Sequence, residues 1–160
     1  MWGAWIAASV VALDQVVKWL VQGRLALGES LEVIPGFLHL TRVHNTGAAF
    51  GFLNGIDFAF KGVVLAVAST AALIGLAVYA AVLSPEEKLA KLGLSFVIGG
   101  AVGNLIDRVR TGYVLDFVDA FWRGWHFWAF NVADAAITVG VALMILDLLG
   151  VGHHRVSRAL

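Results

Sequence analysis

The apolar residues of this chain fall in long blocks, at residues 2–21, 62–83, 89–106 and 131–150. Blocks of about 20 residues match a helix that rises 1.5 Å per residue across a hydrocarbon core of roughly 30 Å. In lipid every backbone N–H and C=O must be satisfied within the protein, which leaves helices as the way to span. The sequence therefore predicts a membrane all-α protein, a four-transmembrane-helix bundle, in a single domain over residues 1–160. Composition agrees: hydrophobic residues make up 60%, against roughly 45–50% in an ordinary soluble domain. A net charge of zero gives no electrostatic reason to expect a nucleic-acid partner. With no cysteine, disulfides, thiolate metal sites and a cysteine nucleophile are excluded.

No Lys or Arg precedes Lys18, so the first block is expected to be a retained helix rather than a cleaved signal peptide. Within it Asp14 and Lys18 share a helical face. Either they are an ion pair at the membrane surface, with Lys18 snorkelling outward, or Asp14 supports a polar site facing the bundle interior. Residues 24–57 differ in kind. Gly and Pro punctuate them, Ile34-Pro35-Gly36-Phe37 is a turn signal, and the runs Ser30 to Ile34 and Phe37 to Val43 suit strands. A small β-sheet between helices 1 and 2, lying against one membrane face, is expected there. His44-Asn45-Thr46-Gly47 reads either as a plain turn in which Asn45 bonds its own backbone, or as part of a site. Ser84-Pro85-Glu86-Glu87 reads as N-cap, N1 proline and first-turn acids of the third helix.

Only 14% of residues are charged, yet Asp107, Arg108, Arg110, Asp116, Asp119, Arg123 and Asp134 cluster between the third and fourth blocks. Four spans would bring Asp14, Asn45, Asp107 and Asp134 towards one membrane face, leaving Asp147 at the other. An ionised Asp at the centre of a membrane helix costs roughly 2.5–3.5 kcal/mol, a large share of a total stability of about 5–15 kcal/mol. Several such acids point to function. Each has a structural alternative: Asp134 as the N3 acid of a helix capped by Asn131, Asp107 and Arg108 as an interfacial pair near Asn104, and Asp119 as a loop-face charge. Asp116 has the weakest one, because Leu115 and Phe117 flank it and no base lies near.

Two carboxylates about 4 Å apart repel by roughly 4 kcal/mol at an effective dielectric near 20, which is about three pKa units. Such a pair holds one proton near neutrality. Its ionised member can draw a proton from water while the protonated member polarises a carbonyl. Metal hydrolysis fits less well, because His39, His44, His126, His153 and His154 lack a ligand spacing such as HExxH. A proton or ion conductor relaying charge through buried acids is the non-enzymatic alternative. A prepilin-peptidase-like enzyme would carry a GxGD motif, absent here.

Five motifs in order are similar to the signal peptidase II family of bacterial intramembrane aspartic proteases. They are Asp14-Gln15 with Lys18-Trp19; Asn45-Thr46-Gly47-Ala48-Ala49-Phe50; Gly103-Asn104-Leu105-Ile106-Asp107-Arg108; Gly112 to Phe117; and Phe130-Asn131-Val132-Ala133-Asp134-Ala135-Ala136-Ile137. The resemblance implies Asp116 and Asp134 as the catalytic pair, from the third and fourth crossings. Asp14, Asn45, Gly47, Asn104, Asp107, Arg108 and Asn131 are the implied supporting residues, with no metal and no cofactor. It also implies a diacylglyceryl-prolipoprotein as substrate, cut before the lipid-bearing Cys, and termini in the cytoplasm of a bacterial inner membrane with the site outside. Counting Lys and Arg on the two sides would have put the site in the cytoplasm, and the resemblance overrides that count. Membrane lipid is an expected partner, and a single copy is expected to suffice. Gly51, Trp128 and Ala135 depart from the family's usual Ser, Pro and Ser, which bears on substrate fit. Trp122, Trp125, Phe127 and Trp128 stand where an aromatic belt or lid would lie.

Overall fold

A computed structural model describes residues 2–47, 60–84 and 86–150. Four helices and four strands are seen among them, in the order α1 (Trp2–Arg24), β1 (Ser30–Ile34), β2 (Leu38–Asn45), α2 (Lys61–Val82), α3 (Lys88–Thr111), β3 (Val114–Trp122), β4 (Trp125–His126) and α4 (Val132–Leu148). By length and composition α1, α2 and α3 suffice to cross a membrane. At 17 residues, α4 is about 26 Å long and slightly under a full hydrocarbon core.

Helix α3 is central, packing against α4, α1 and α2. Glycines set how closely. A Cβ on Gly100 would overlap the Ala133 carbonyl oxygen, and Gly93 and Gly140 oppose each other's carbonyls in the same way. Where lipid offers no hydrophobic drive between helices, this backbone proximity supplies the dispersion contact. Helix α2 touches α3 on one side and leaves Val63, Val67, Ile74 and Val78 about 60% exposed.

The four strands form one antiparallel sheet in the order β1-β2-β3-β4. The predicted turn after β1 is present: Phe37 N–H donates to Ile34 O at 3.0 Å, and Gly36 takes the positive φ (72°) that the turn requires. Arg42 of β2 donates to Leu25 O at 3.1 Å, satisfying a carbonyl left open at the end of α1. Val21 of α1 and Leu25 just beyond its end pack on Leu115 and Phe117 of β3, with Val17, Leu40, Val118 and Val132 around them.

Three expectations are corrected. The sheet is not confined to the connection between helices 1 and 2, since β3 and β4 come from the connection between α3 and α4; Val, Phe and Trp favour a pleated surface. The third helix does not end near residue 106 but runs to Thr111, where Gly112 (φ 80°) turns the chain and donates to Arg108 O at 3.0 Å. Asp116 therefore sits on a strand, and not on a membrane crossing. At the other end of α3 the expected Ser84 cap is absent. The Glu87 carboxylate accepts the Ser84 N–H, and the helix begins at Lys88 with no acid in its first turn.

Candidate active site

The predicted polar residues converge into one hydrogen-bonded network with two layers. In the inner layer Lys18 Nζ lies 2.8 Å from Asp14 Oδ2 and 2.7 Å from Asp107 Oδ2. It also donates to Asn104 Oδ1 at 3.0 Å, so each of its three protons has an acceptor. Lys18 is 3% exposed and Asp14 fully buried, which excludes the snorkelling alternative. Asp14 Oδ1 accepts the Ala133 N–H at 2.9 Å, joining α1 to the first turn of α4. Gln15 donates to Asp107 Oδ1 at 2.9 Å and to Gly103 O at 3.2 Å. Asp107 thus pairs with Lys18 and Gln15 across the bundle, not with Arg108 beside it.

The outer layer holds Asp116 and Asp134. Asp116 Oδ1 accepts from Asn131 Nδ2 at 2.7 Å, and Oδ2 from Asn45 Nδ2 at 3.0 Å. Asp134 Oδ1 accepts from Asn104 Nδ2 at 2.8 Å. Asn131 caps α4, its Oδ1 accepting the Asp134 N–H at 2.9 Å while Asp134 Oδ2 accepts the Asn131 N–H at 3.3 Å. This is a reciprocal capping box. The capping role expected of Asp134 is real, and the same carboxylate also faces a cavity. Asn45 makes the expected local turn, its Oδ1 accepting the Gly47 N–H at 2.9 Å, while its amide donates to Asp116. Arg108 donates to Gly47 O at 3.2 Å and lies within electrostatic range of Asp134, Asp116 and Asp107.

The two layers are electrostatically unlike. Asp14 and Asp107 each have the Lys18 ammonium in direct contact. Asp116 and Asp134 are hydrogen-bonded by neutral amides. Burial above all, and next the charge of Asp134, push the Asp116 carboxyl up to about 7, against weaker opposing effects of Asn45, Asn131 and Lys18. An acid that keeps its proton to neutrality beside a second carboxylate is equipped for proton transfer.

A cavity of about 590 Å³ adjoins this layer, reached by Asn45, Asn104, Arg108 and Asp134 at its polar end. Ala101, Ile137, Val139, Phe127 and Trp128 line its apolar part, with Ser69 and Ala72 of α2 opposite. Asp116 lies one hydrogen bond behind Asn45. Among the described residues no three His, Asp or Glu side chains are grouped to hold a metal ion. Residues 48–50 of the second predicted motif lie outside the described residues. Lys18 and Gln15 were read only as neighbours of Asp14; the i, i+4 spacing of Asp14 and Lys18 was the signal that could have raised them to site residues. Asp119, expected on a loop, lies on β3 and accepts from His126 Nδ1 at 2.9 Å.

Apolar helices closed around a buried polar network that borders a cavity are the frame of a membrane enzyme. Comparison with known proteins makes this specific. Residues 6–150 match the family model for signal peptidase (SPase) II. A lipoprotein signal peptidase of Symbiobacterium thermophilum is 48% identical, the match covering 90% of this chain and 91% of the relative. Those of Geobacter metallireducens and Geobacillus kaustophilus are each 44% identical, with 90% of this chain covered and 88% and 90% of the relatives. A solved bacterial membrane enzyme superposes with a TM-score of 0.82 at 34% identity over 99% of this chain and 93% of that one. The chain belongs to the signal peptidase II family, and is a membrane protease.

Proposed function

We propose that this chain removes the signal peptide from diacylglyceryl-modified prolipoproteins, cutting immediately before the lipid-bearing Cys, with Asp116 and Asp134 as its catalytic pair. The observation that carries this is the contrast between the two layers: one pair of carboxylates shares the Lys18 ammonium, and the other is left with amide donors beside an open cavity. Asp116 and Asp134 hold one proton between them. The ionised member takes a proton from a water molecule, whose oxygen attacks the scissile carbonyl carbon. The protonated member gives its proton to the carbonyl oxygen. Collapse of the tetrahedral intermediate breaks the C–N bond, the departing nitrogen takes up a proton, and the pair returns to its one-proton state.

The supporting residues have distinct parts. Asn131, Asn45 and Asn104 orient the two carboxylates, and Arg108 sets the electrostatic field over them while steadying Gly47. Asp14 and Asp107, tied by Lys18, hold α1, α3 and α4 in register below. The cavity's apolar part between α2 and α4 suits acyl chains and a signal segment arriving from the bilayer, with α4 as a fourth crossing. Leu31, Val33, Ile34 and Phe37, about half exposed on the sheet, and the aromatics Trp122, Trp125 and Trp128 suit contact with the interface of the same membrane. The orientation that goes with this reading has the termini in the cytoplasm and the site towards the outer face of the bacterial inner membrane, the chain working as a monomer without cofactor.

The test is incubation of the purified protein with lipidated and unlipidated precursor, with mass analysis of the products. Cleavage of the lipidated precursor alone, directly before its modified Cys, is expected. Asp116→Asn and Asp134→Asn should each lose at least about 10³-fold in turnover while remaining folded and membrane-inserted. Near-normal turnover by either variant would sink the assignment.

A further inference from the structure

One side chain from each strand forms a line of acids and imidazoles across the sheet. Glu32 of β1 lies 4.0 Å from His39 Nε2, and His39 Nδ1 lies 3.7 Å from Asp119 Oδ2 on β3. The line ends in its tightest member, where His126 Nδ1 of β4 is 2.9 and 3.0 Å from the two Asp119 oxygens. The Phe121 ring sits between the imidazoles, 4.4 Å from that of His39 and 5.0 Å from that of His126.

This line ends where the chain most needs holding. Strand β4 has only two residues, and a strand pair so short does not hold itself in place. Beyond it, Phe127 N–H donates to Ala120 O at 2.8 Å and Phe130 N–H to Val118 O at 3.0 Å. Between those pairings β3 contributes one residue, Asp119, and the returning chain contributes two, Trp128 and Ala129. Two residues facing one is a β-bulge, the device that re-aims side chains at the edge of a sheet. The bulged residues Trp128 and Ala129, together with Phe127, line the cavity beside Asp134.

We infer that the Asp119–His126 contact is a pin that fixes this bulge, so that both are positioning residues which set the cavity wall against which the substrate packs. The inference rests on the reaction proposed above and extends it to two residues outside the acid network. Asp119 is the residue opposite the bulge, and its carboxylate grips the chain one residue before Phe127. The pin adds to the backbone bonds that Phe127 and Phe130 make with β3 and to the edge contacts of the Phe127 ring with Trp125 and Phe130, and it is the side-chain contact that joins the residue opposite the bulge to the start of the wall. The reacting carboxylates stay untouched, so the loss falls on substrate binding and not on the chemical step.

The measurement compares His126→Ala, Asp119→Ala, their double variant and His126→Asn, whose amide nitrogen stands near the position of Nδ1. Steady-state cleavage of lipidated precursor is read together with hydrogen exchange at the Phe127 amide. The His126 side chain is half exposed, which limits the pin to roughly the worth of a favourable surface pair. Each alanine variant should raise KM about five-fold with kcat held within about two-fold, and should speed exchange at Phe127. The double variant should be no worse than either single one, and His126→Asn should recover most of the loss. A wild-type KM in the alanine variants overturns the pin, whether or not exchange changes. So does a fall in kcat at constant KM, or a failure of His126→Asn to rescue. Wild-type protein that leaves the lipidated precursor intact fails the proposed reaction instead, and is distinguished by that result alone.

Discussion

Asn131 donates to Asp116 Oδ1 at 2.7 Å with the same side chain that caps α4. The residue that starts the fourth helix therefore also fixes where one of the two acids points, and its side-chain Oδ1 accepts the N–H of the other. Truncation to Asn131→Ala removes a helix cap, typically about 0.5–2 kcal/mol, and leaves a buried acceptor short of a donor, about 1–3 kcal/mol. A combined loss of roughly 2–4 kcal/mol is expected by thermal unfolding in detergent. In the fraction that remains folded, turnover should fall by at least about 10²-fold, since Asp116 loses its orientation.

Raising the Asp116 carboxyl to about 7 has a definite sign. Between its ordinary value of 3.8 and about 7, the folded chain holds a proton that the unfolded chain has lost. Stability from this group therefore falls as pH rises through that window, and is flat above about 7. Asp116→Asn should remove that slope in unfolding measured from pH 4 to 8. Cleavage by the wild type should decline above pH about 7 as the pair loses its shared proton, giving the alkaline limb of a bell-shaped kcat/KM profile.

Much of this arrangement was legible in the sequence, and the misreadings have identifiable causes. Helix positions followed from block length, and the capping role of Asp134 from the spacing Asn131-x-x-Asp134. Spacing also joined Asp14 to Lys18, but whether that pair faces lipid or protein is set by Asp107 and Asn104 on α3, far away in the chain. Asp107 and Arg108 looked like partners because they are adjacent, yet consecutive helical residues do not face each other. Strand β3 was hidden because an apolar stretch with embedded acids, next to membrane blocks, reads as the edge of a span. Its partner β2 lies some 70 residues earlier, beyond what local periodicity can report. The bulge at Trp128 and Ala129 is likewise a property of pairing, absent from either strand alone.

Lys18 pairs with the buried Asp14 and the partly buried Asp107, so its removal should be costly. Lys18→Met keeps much of the stem and deletes the ammonium, leaving Asp14 and Asp107 without their common partner. Breaking a buried pair by removing one side typically costs about 3–5 kcal/mol, and that loss is expected in thermal unfolding. Adding Asp14→Asn to Lys18→Met removes one of the stranded charges and should recover part of it, so the two substitutions combine to less than their sum. Strict additivity would show that Lys18 and Asp14 act separately.

Two glycine substitutions test the packing that holds the site. Gly100 faces the Ala133 carbonyl, one residue from Asp134, and an added methyl would meet backbone that cannot turn aside. Gly100→Ala should therefore push α3 from α4, costing about 1–3 kcal/mol, and should reduce turnover by moving Asn104 relative to Asp134, which its amide meets at 2.8 Å. Gly75 on α2 has nothing within 4 Å of an added Cβ. Gly75→Ala meets no obstacle, and the better helix propensity of alanine should leave stability unchanged or raised by up to about 1 kcal/mol. The two variants make the same chemical change in helices of the same protein, so a difference in unfolding and turnover reports helix contact alone. Equal behaviour of the pair would mean that the approach of α3 to α4 at Gly100 does not govern the site.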